Sequence, residues 1–126
     1  MRLLAALLAI FFSVIGLGFW TNNQLQQSAD ELMINIDLIY EEINLGQWES
    51  AMRYTEQLEQ KWEQKIQWWP VFLDHQEIDY IDFAIAKNKE YVAAQNTPLA
   101  LGQLSEMRRM IKHIPEKGAI NITNIF

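Results

Sequence analysis

The chain contains no cysteine, only two histidines and fewer basic than acidic residues, and each shortage excludes a class of function. Without cysteine there is no thiol nucleophile, and the usual indication of the redox compartment is missing. Beyond residue 20, nine Lys or Arg stand against sixteen Asp or Glu, which gives a net charge of −7. A surface of that charge repels nucleic-acid phosphates, so we exclude a nucleic-acid partner.

The motifs of common enzyme classes are also missing. The five glycines form neither a phosphate-binding loop nor a dinucleotide-binding pattern. The serines have no nucleophile-elbow context, and the two histidines are too far apart for an HExxH motif. The sequence therefore predicts a protein that is not an enzyme, and it implies no cofactor. Five Trp, four Tyr and six Phe are enough to build one small core.

One long apolar run without charge, residues 3–20, precedes the rest of the chain. As a helix it would be roughly 27 Å long, against a hydrocarbon core of roughly 30 Å. Arg2 and the α-amino group precede it, and the next basic residue is Arg53. The positive-inside rule therefore places the N-terminus in the cytoplasm and the body outside. We expect a single-pass anchor in the cytoplasmic membrane, with Trp20 at the interface.

A cleaved signal peptide is the alternative interpretation of this run. Cleavage requires small residues at positions −3 and −1, and Gly16-Leu-Gly18 is the one fair candidate. The Phe19-Trp20 pair that follows would make a poor start for a mature protein. We favour the uncleaved anchor over residues 1–20, and in either case the body is extracytoplasmic.

Apolar residues recur at spacings of three and four through four segments after the apolar run, which predicts an all-α fold. The membrane helix is expected to continue as one rod to 44–46, where Gly46 suits the C′ position. Pro70 disfavours helical geometry at Trp69, so the second helix should end there or just before. Short connections predict an antiparallel up-and-down bundle of about four helices over 21–115, followed by a C-terminal tail, 116–126.

Short polar motifs predict the starts of the third and fourth helices. Asp74-His-Gln-Glu77 matches the capping-box pattern, in which Asp74 accepts from the first turn and Glu77 reaches back to its amide. Asn96-Thr-Pro98 provides a polar cap followed by proline at the first helical position. Pro115 is expected to stop the fourth helix.

Three side chains near the start of the third helix form a candidate metal site. At 100° per residue, His75, Asp79 and Asp82 share one stripe, with Glu77 nearby. Imidazole and carboxylate groups can bind a hard or borderline cation. Acidic residues are also expected at a helix start for capping alone. A cation-binding or sensing domain is therefore our alternative function.

A second candidate surface follows the second helix. Trp68 lies outside the buried arc of that helix and is followed by Pro70-Val71-Phe72-Leu73. We predict an exposed apolar loop in which Trp68, Phe72 and Leu73 contact a membrane or extracytoplasmic protein. In the alternative interpretation the adjacent chain covers these residues. The predicted function is that of a membrane-anchored accessory or protein-interaction module.

Several blocks of sequence resemble a known bacterial family. They are the apolar N-terminus followed by TNN, WEQKI at 62–66, DHQEID at 74–79 and the ending HIPEKGAINITNIF. On these blocks, which cover nearly the whole chain, the protein is similar to the family called domain of unknown function 4363. The resemblance implies a small N-terminally anchored helical protein of endospore-forming bacteria, without an assigned activity. It carries over no catalytic or binding residue.

Overall fold

The computed structural model describes residues 1–71 and 73–125, with side chains through Pro115. Within these residues the secondary structure is helical and contains no strand, which confirms the all-α prediction. A 3-10 turn interrupts the link between the second and third helices. The elements are α1 Arg2–Asn44, α2 Trp48–Lys65, η1 Trp69–Val71, α3 His75–Ala93 and α4 Thr97–Ile125.

The four helices form a closed ring around one core. α1 packs against α2 and α4, and α3 packs against the same two helices. The connections 45–47 and 94–96 are too short for a crossover, so consecutive helices are antiparallel. α1 and α3 run away from the apolar N-terminal run, and α2 and α4 run back toward it. The predicted up-and-down bundle is confirmed.

The end of α1 agrees with the sequence prediction. Gly46 has φ 72°, in the left-handed region that only glycine adopts without strain. Its N–H donates to the Ile43 carbonyl at 3.0 Å, and the Gln47 N–H donates to the Glu42 carbonyl at 2.9 Å. These two bonds are a Schellman motif, which satisfies carbonyls that the last turn leaves open. The chain reverses there into α2.

α3 ends in the same motif, although its left-handed residue is Gln95, with φ 54°. The N–H groups of Gln95 and Asn96 donate to carbonyls in the last turn of α3. Asn96 then caps α4 as predicted, because its Oδ1 accepts the Leu99 N–H at 3.2 Å. Thr97 is the first residue of α4, so Pro98 occupies the second helical position and not the first.

Two predicted helix ends differ from the structure. α2 ends at Lys65, four residues before Trp69, and the chain forms a turn before η1. Pro115 does not stop α4, which continues to Ile125, so that prediction was wrong. An internal proline costs roughly 3 kcal/mol because it removes one helical hydrogen bond and crowds the preceding turn. Ile114 and Pro115 are both buried, and their packing offsets part of that cost.

A polar seam within the bundle joins α1 to α2. The buried Asn35 donates from Nδ2 to the Tyr54 carbonyl at 2.9 Å and accepts at Oδ1 from Lys61 Nζ at 2.6 Å. One turn away, Lys65 Nζ pairs with Glu31 at 2.8 Å. Directional hydrogen bonds to a buried amide hold the two helices in one register, which apolar contacts alone do not specify.

The core consists of the apolar stripes of all four helices. Trp62 and Trp69 are its largest buried side chains, and their rings meet edge to face with centroids 5.4 Å apart. α3 contributes one apolar stripe to this core. Its buried apolar residues are Ile78, Ile81, Ala84, Ile85 and Val92.

Candidate functional site

The predicted metal ligands lie on the surface of α3. His75, Asp79 and Asp82 are all exposed. Asp82 has a structural partner, because its Oδ1 accepts the Trp62 Nε1–H at 3.2 Å. Among the side chains that the structure describes, no three His, Asp or Glu are grouped so that they could hold a metal ion. The metal site stays a prediction that this arrangement does not strengthen.

The capping bond predicted for the Asp74 side chain does not form at the start of α3. Asp74 is the N-cap residue, with extended backbone at φ −63° and ψ 145°, as the sequence indicated. Its side chain accepts no capping hydrogen bond. The carboxylate is exposed, so water solvates it and still leaves its charge close to the positive end of the helix dipole.

The predicted apolar loop is largely covered. Leu73 is 6% exposed and belongs to the core, so the expectation that it lies on the surface was wrong. Trp68 is half-buried and meets Trp69 edge to face at 6.0 Å. Phe72 lies outside the described residues. The Leu73 N–H donates to the Trp69 carbonyl at 3.0 Å, and the Leu73 side chain belongs to the same core cluster as Trp62 and Trp69.

An exposed aromatic pair on α3 was not singled out from the sequence. Tyr80 and Phe83 are one turn apart, and both are exposed on the side of α3 that borders α4. Tyr80 lines a shallow cavity of about 200 Å³ together with Arg109 and Met110. The sequence did contain an indication of this exposed pair, because both aromatics lie outside the isoleucine stripe of α3, on a helix face where polar residues are expected.

The apolar N-terminal run forms the first half of α1. Among the described residues, α1 is the one helix long and apolar enough to cross a membrane. None of that apolar stretch is buried against the bundle. Burial begins where this stretch ends, because no residue from 2 to 20 is buried, whereas Thr21, Leu25, Ser28 and Ala29 are.

These features define a class of protein: a small four-helix bundle whose first helix extends well beyond it as an apolar rod. Within that class, the chain belongs to the family described as domain of unknown function (DUF4363), whose model matches residues 19–125. The match covers the whole bundle and begins at the end of the apolar run. Comparisons with curated proteins and with solved structures find no match.

Proposed function

We propose that this protein is held in the cytoplasmic membrane by residues 3–20 of α1 and that its bundle lies outside the membrane. The supporting observation is that burial along α1 begins only after the apolar run, at Thr21 and Leu25. A core helix of a soluble protein would be covered along its length, whereas this apolar stretch is bare. Bare apolar surface of that extent is stable in hydrocarbon and not in water.

The orientation rests on the distribution of basic residues. Arg2 precedes the apolar run, and the whole of α1 after it carries no Lys or Arg. Basic residues near the ends of a membrane helix favour the cytoplasmic side, which places the N-terminus inside and the bundle outside.

The proposed role is non-enzymatic: the bundle binds a membrane or extracytoplasmic protein. Tyr80 and Phe83 support this role, since exposed aromatic side chains beside a cavity are typical of binding surfaces. Arg109, in the same cavity, adds a group that can pair with a carboxylate. Of the loop expected from the sequence, Trp68 keeps a partly exposed edge, whereas Leu73 is buried.

The orientation is tested with single cysteines, which the natural chain lacks. Leu45 is exposed in the turn between α1 and α2, at the end of the bundle far from the apolar run. We expect Leu45→Cys to react with a membrane-impermeant maleimide in intact cells. Protection until lysis would contradict an extracytoplasmic bundle, and a mature chain that lacks its first twenty residues would contradict the anchor.

The binding role is tested by crosslinking of the anchored full chain in intact cells. We expect the double variant Tyr80→Ala/Phe83→Ala to lose a specific crosslinked product that the natural chain gives. The matched control is Ile34→Ala, because Ile34 is an equally exposed apolar side chain on α1. Equal crosslinking by both variants would remove the α3 aromatic pair from the binding surface. Circular dichroism checks that both variants keep their helical content.

A further inference from the structure

The end of the bundle nearest the apolar run begins directly at the proposed membrane surface. Thr21 and Leu25 are buried, so other parts of the chain cover α1 down to the residue that follows Trp20. No flexible linker separates the two parts, because α1 is one continuous helix from Arg2 to Asn44. This end of the bundle therefore faces the proposed membrane surface.

The link between α2 and α3 lies at this end. α2 runs toward the apolar segment and ends at Lys65, about 4.5 Å beyond Trp62 at 1.5 Å per residue. Because Asp82 is hydrogen-bonded to Trp62, the two residues lie at about the same height along the bundle axis. α3 begins seven residues before Asp82, which places its first residue about 10 Å closer to the apolar segment than Trp62. The start of α3 thus lies roughly 6 Å closer to the membrane than the end of α2. η1 connects these two points.

The side chains of this link suit a bilayer interface. Val71 is 79% exposed, Pro70 is exposed and Trp68 is half-buried; we call these three residues the basal corner. No residue from 66 to 73 carries a charge, and neither does any residue from 3 to 29 on α1. An exposed apolar corner without charge is costly in water and is accommodated among headgroups and upper acyl chains.

We infer that the basal corner is a second membrane contact, in which Val71 and Pro70 enter the lipid interface beside Trp20. This inference rests on the proposed anchor in residues 3–20. Tryptophan is favoured at this depth because its ring is apolar and its N–H is polar, and Trp20 and Trp68 supply one ring each from α1 and the link. Two contacts on different elements fix the tilt and rotation of the bundle on the bilayer, which a single helix leaves free.

The charged residues near the basal corner indicate which headgroup charge the lipid should carry. Asp74 and Asp79 are exposed at the adjacent start of α3 and would be repelled by anionic headgroups. The contact is therefore apolar in origin and directed to a neutral or zwitterionic lipid surface. It differs from the basic amphipathic helices that bind anionic membranes through charge.

The test measures depth with an environment-sensitive label on single cysteines of the full chain in phosphatidylcholine proteoliposomes. Val71→Cys reports the basal corner and Ile10→Cys reports the anchor. Leu45→Cys is the matched control, an apolar turn residue 65% exposed at the opposite end of the bundle. Lipids that carry a nitroxide high or low on the acyl chain quench a label according to its depth.

We expect the label at position 71 to be quenched by the shallow nitroxide and shifted to the blue, and the label at position 45 to be unaffected by either lipid. Identical behaviour at positions 71 and 45, with position 10 quenched by the deep nitroxide, would overturn this inference and leave the anchor intact. Absence of quenching at position 10 would overturn the anchor itself. Because Val71 is exposed, its replacement leaves the core unchanged, which circular dichroism verifies.

Discussion

Asn88 is a buried amide whose replacement should stabilise the protein. It is 0% exposed and lies within the apolar stripe of α3, between Ile85 and Val92. Among the side chains that the structure describes, neither its Nδ2 nor its Oδ1 finds a hydrogen-bond partner. A buried polar group without a partner has lost its hydration and gained nothing in return, at a cost of about 1–3 kcal/mol.

Asn88→Leu removes both unsatisfied atoms. Leucine also has the higher helix propensity, by a few tenths of a kcal/mol, while its larger volume costs roughly 1 kcal/mol of local crowding. We expect a net gain of about 1–2 kcal/mol in the free energy of unfolding. For a bundle of this size, that corresponds to a rise in Tm of roughly 4–8 °C per kcal/mol. Asn88→Ala removes the amide without adding volume and covers the case in which leucine does not fit.

Asn35 is the matched control, since it is also buried and also lies in an apolar stripe, between Leu32 and Ile39. Its amide is satisfied by the Tyr54 carbonyl and by Lys61. Asn35→Leu should therefore destabilise the bundle by about 1–3 kcal/mol, because the Tyr54 carbonyl loses its donor and the partly buried Lys61 ammonium loses its acceptor.

The assay is thermal and urea unfolding of the full chain in detergent, followed by tryptophan emission. Trp62 and Trp69 are buried in the bundle, so their emission reports on its tertiary structure. The reasoning requires opposite signs at the two asparagines. If Asn88→Leu and Asn88→Ala both destabilised the bundle as much as Asn35→Leu does, the amide of Asn88 would contribute to stability and the argument from its missing partners would be refuted.

Three other predictions concern helix ends and the candidate metal site. Gln95→Gly should stabilise the folded bundle by about 0.5–1 kcal/mol, because glycine adopts φ 54° without strain. Gly46→Ala should destabilise it by a similar amount, since alanine is strained at φ 72°, and urea unfolding measures both changes. Asn96→Ala should cost about 1 kcal/mol in the same assay, since the Leu99 N–H loses its cap, and an unchanged midpoint would count against it. Calorimetry with zinc, manganese and calcium should give no saturable heat; a heat abolished by His75→Ala would favour the cation-sensing alternative.

The local features of this fold were predictable because they depend on neighbouring residues. The reversal at Gly46 follows from glycine's freedom at positive φ, and the cap of α4 follows from an asparagine three residues before an available N–H. The same reasoning failed at Pro115, where a helix continues through a local breaker because buried surface around the proline compensates. Rules based on neighbouring residues do not include the packing energy that tertiary contacts supply.

The candidate surfaces were harder to predict because exposure depends on the whole bundle. Spacing on a helical wheel indicated that Trp68 was outside the buried arc, but it could not show that the link folds back and buries Leu73. The same limit applies to Asp82, whose carboxylate serves as acceptor for a tryptophan twenty residues earlier in the chain. The exposed pair on α3 also required the bundle, since only packing shows which aromatics are left uncovered.

From the amino-acid sequence alone it was possible to predict that the chain is helical, that it has one apolar stretch long enough to cross a bilayer, and where most of its helices begin. These properties come from periodicity, hydrophobicity and backbone preference, which act over a few residues. Two further features required the three-dimensional structure: the bundle closes around α1 immediately after Trp20, and the link at Val71 lies at that same end. The reason is that the relative position of two helices along the bundle axis is fixed by contacts between residues far apart in the chain.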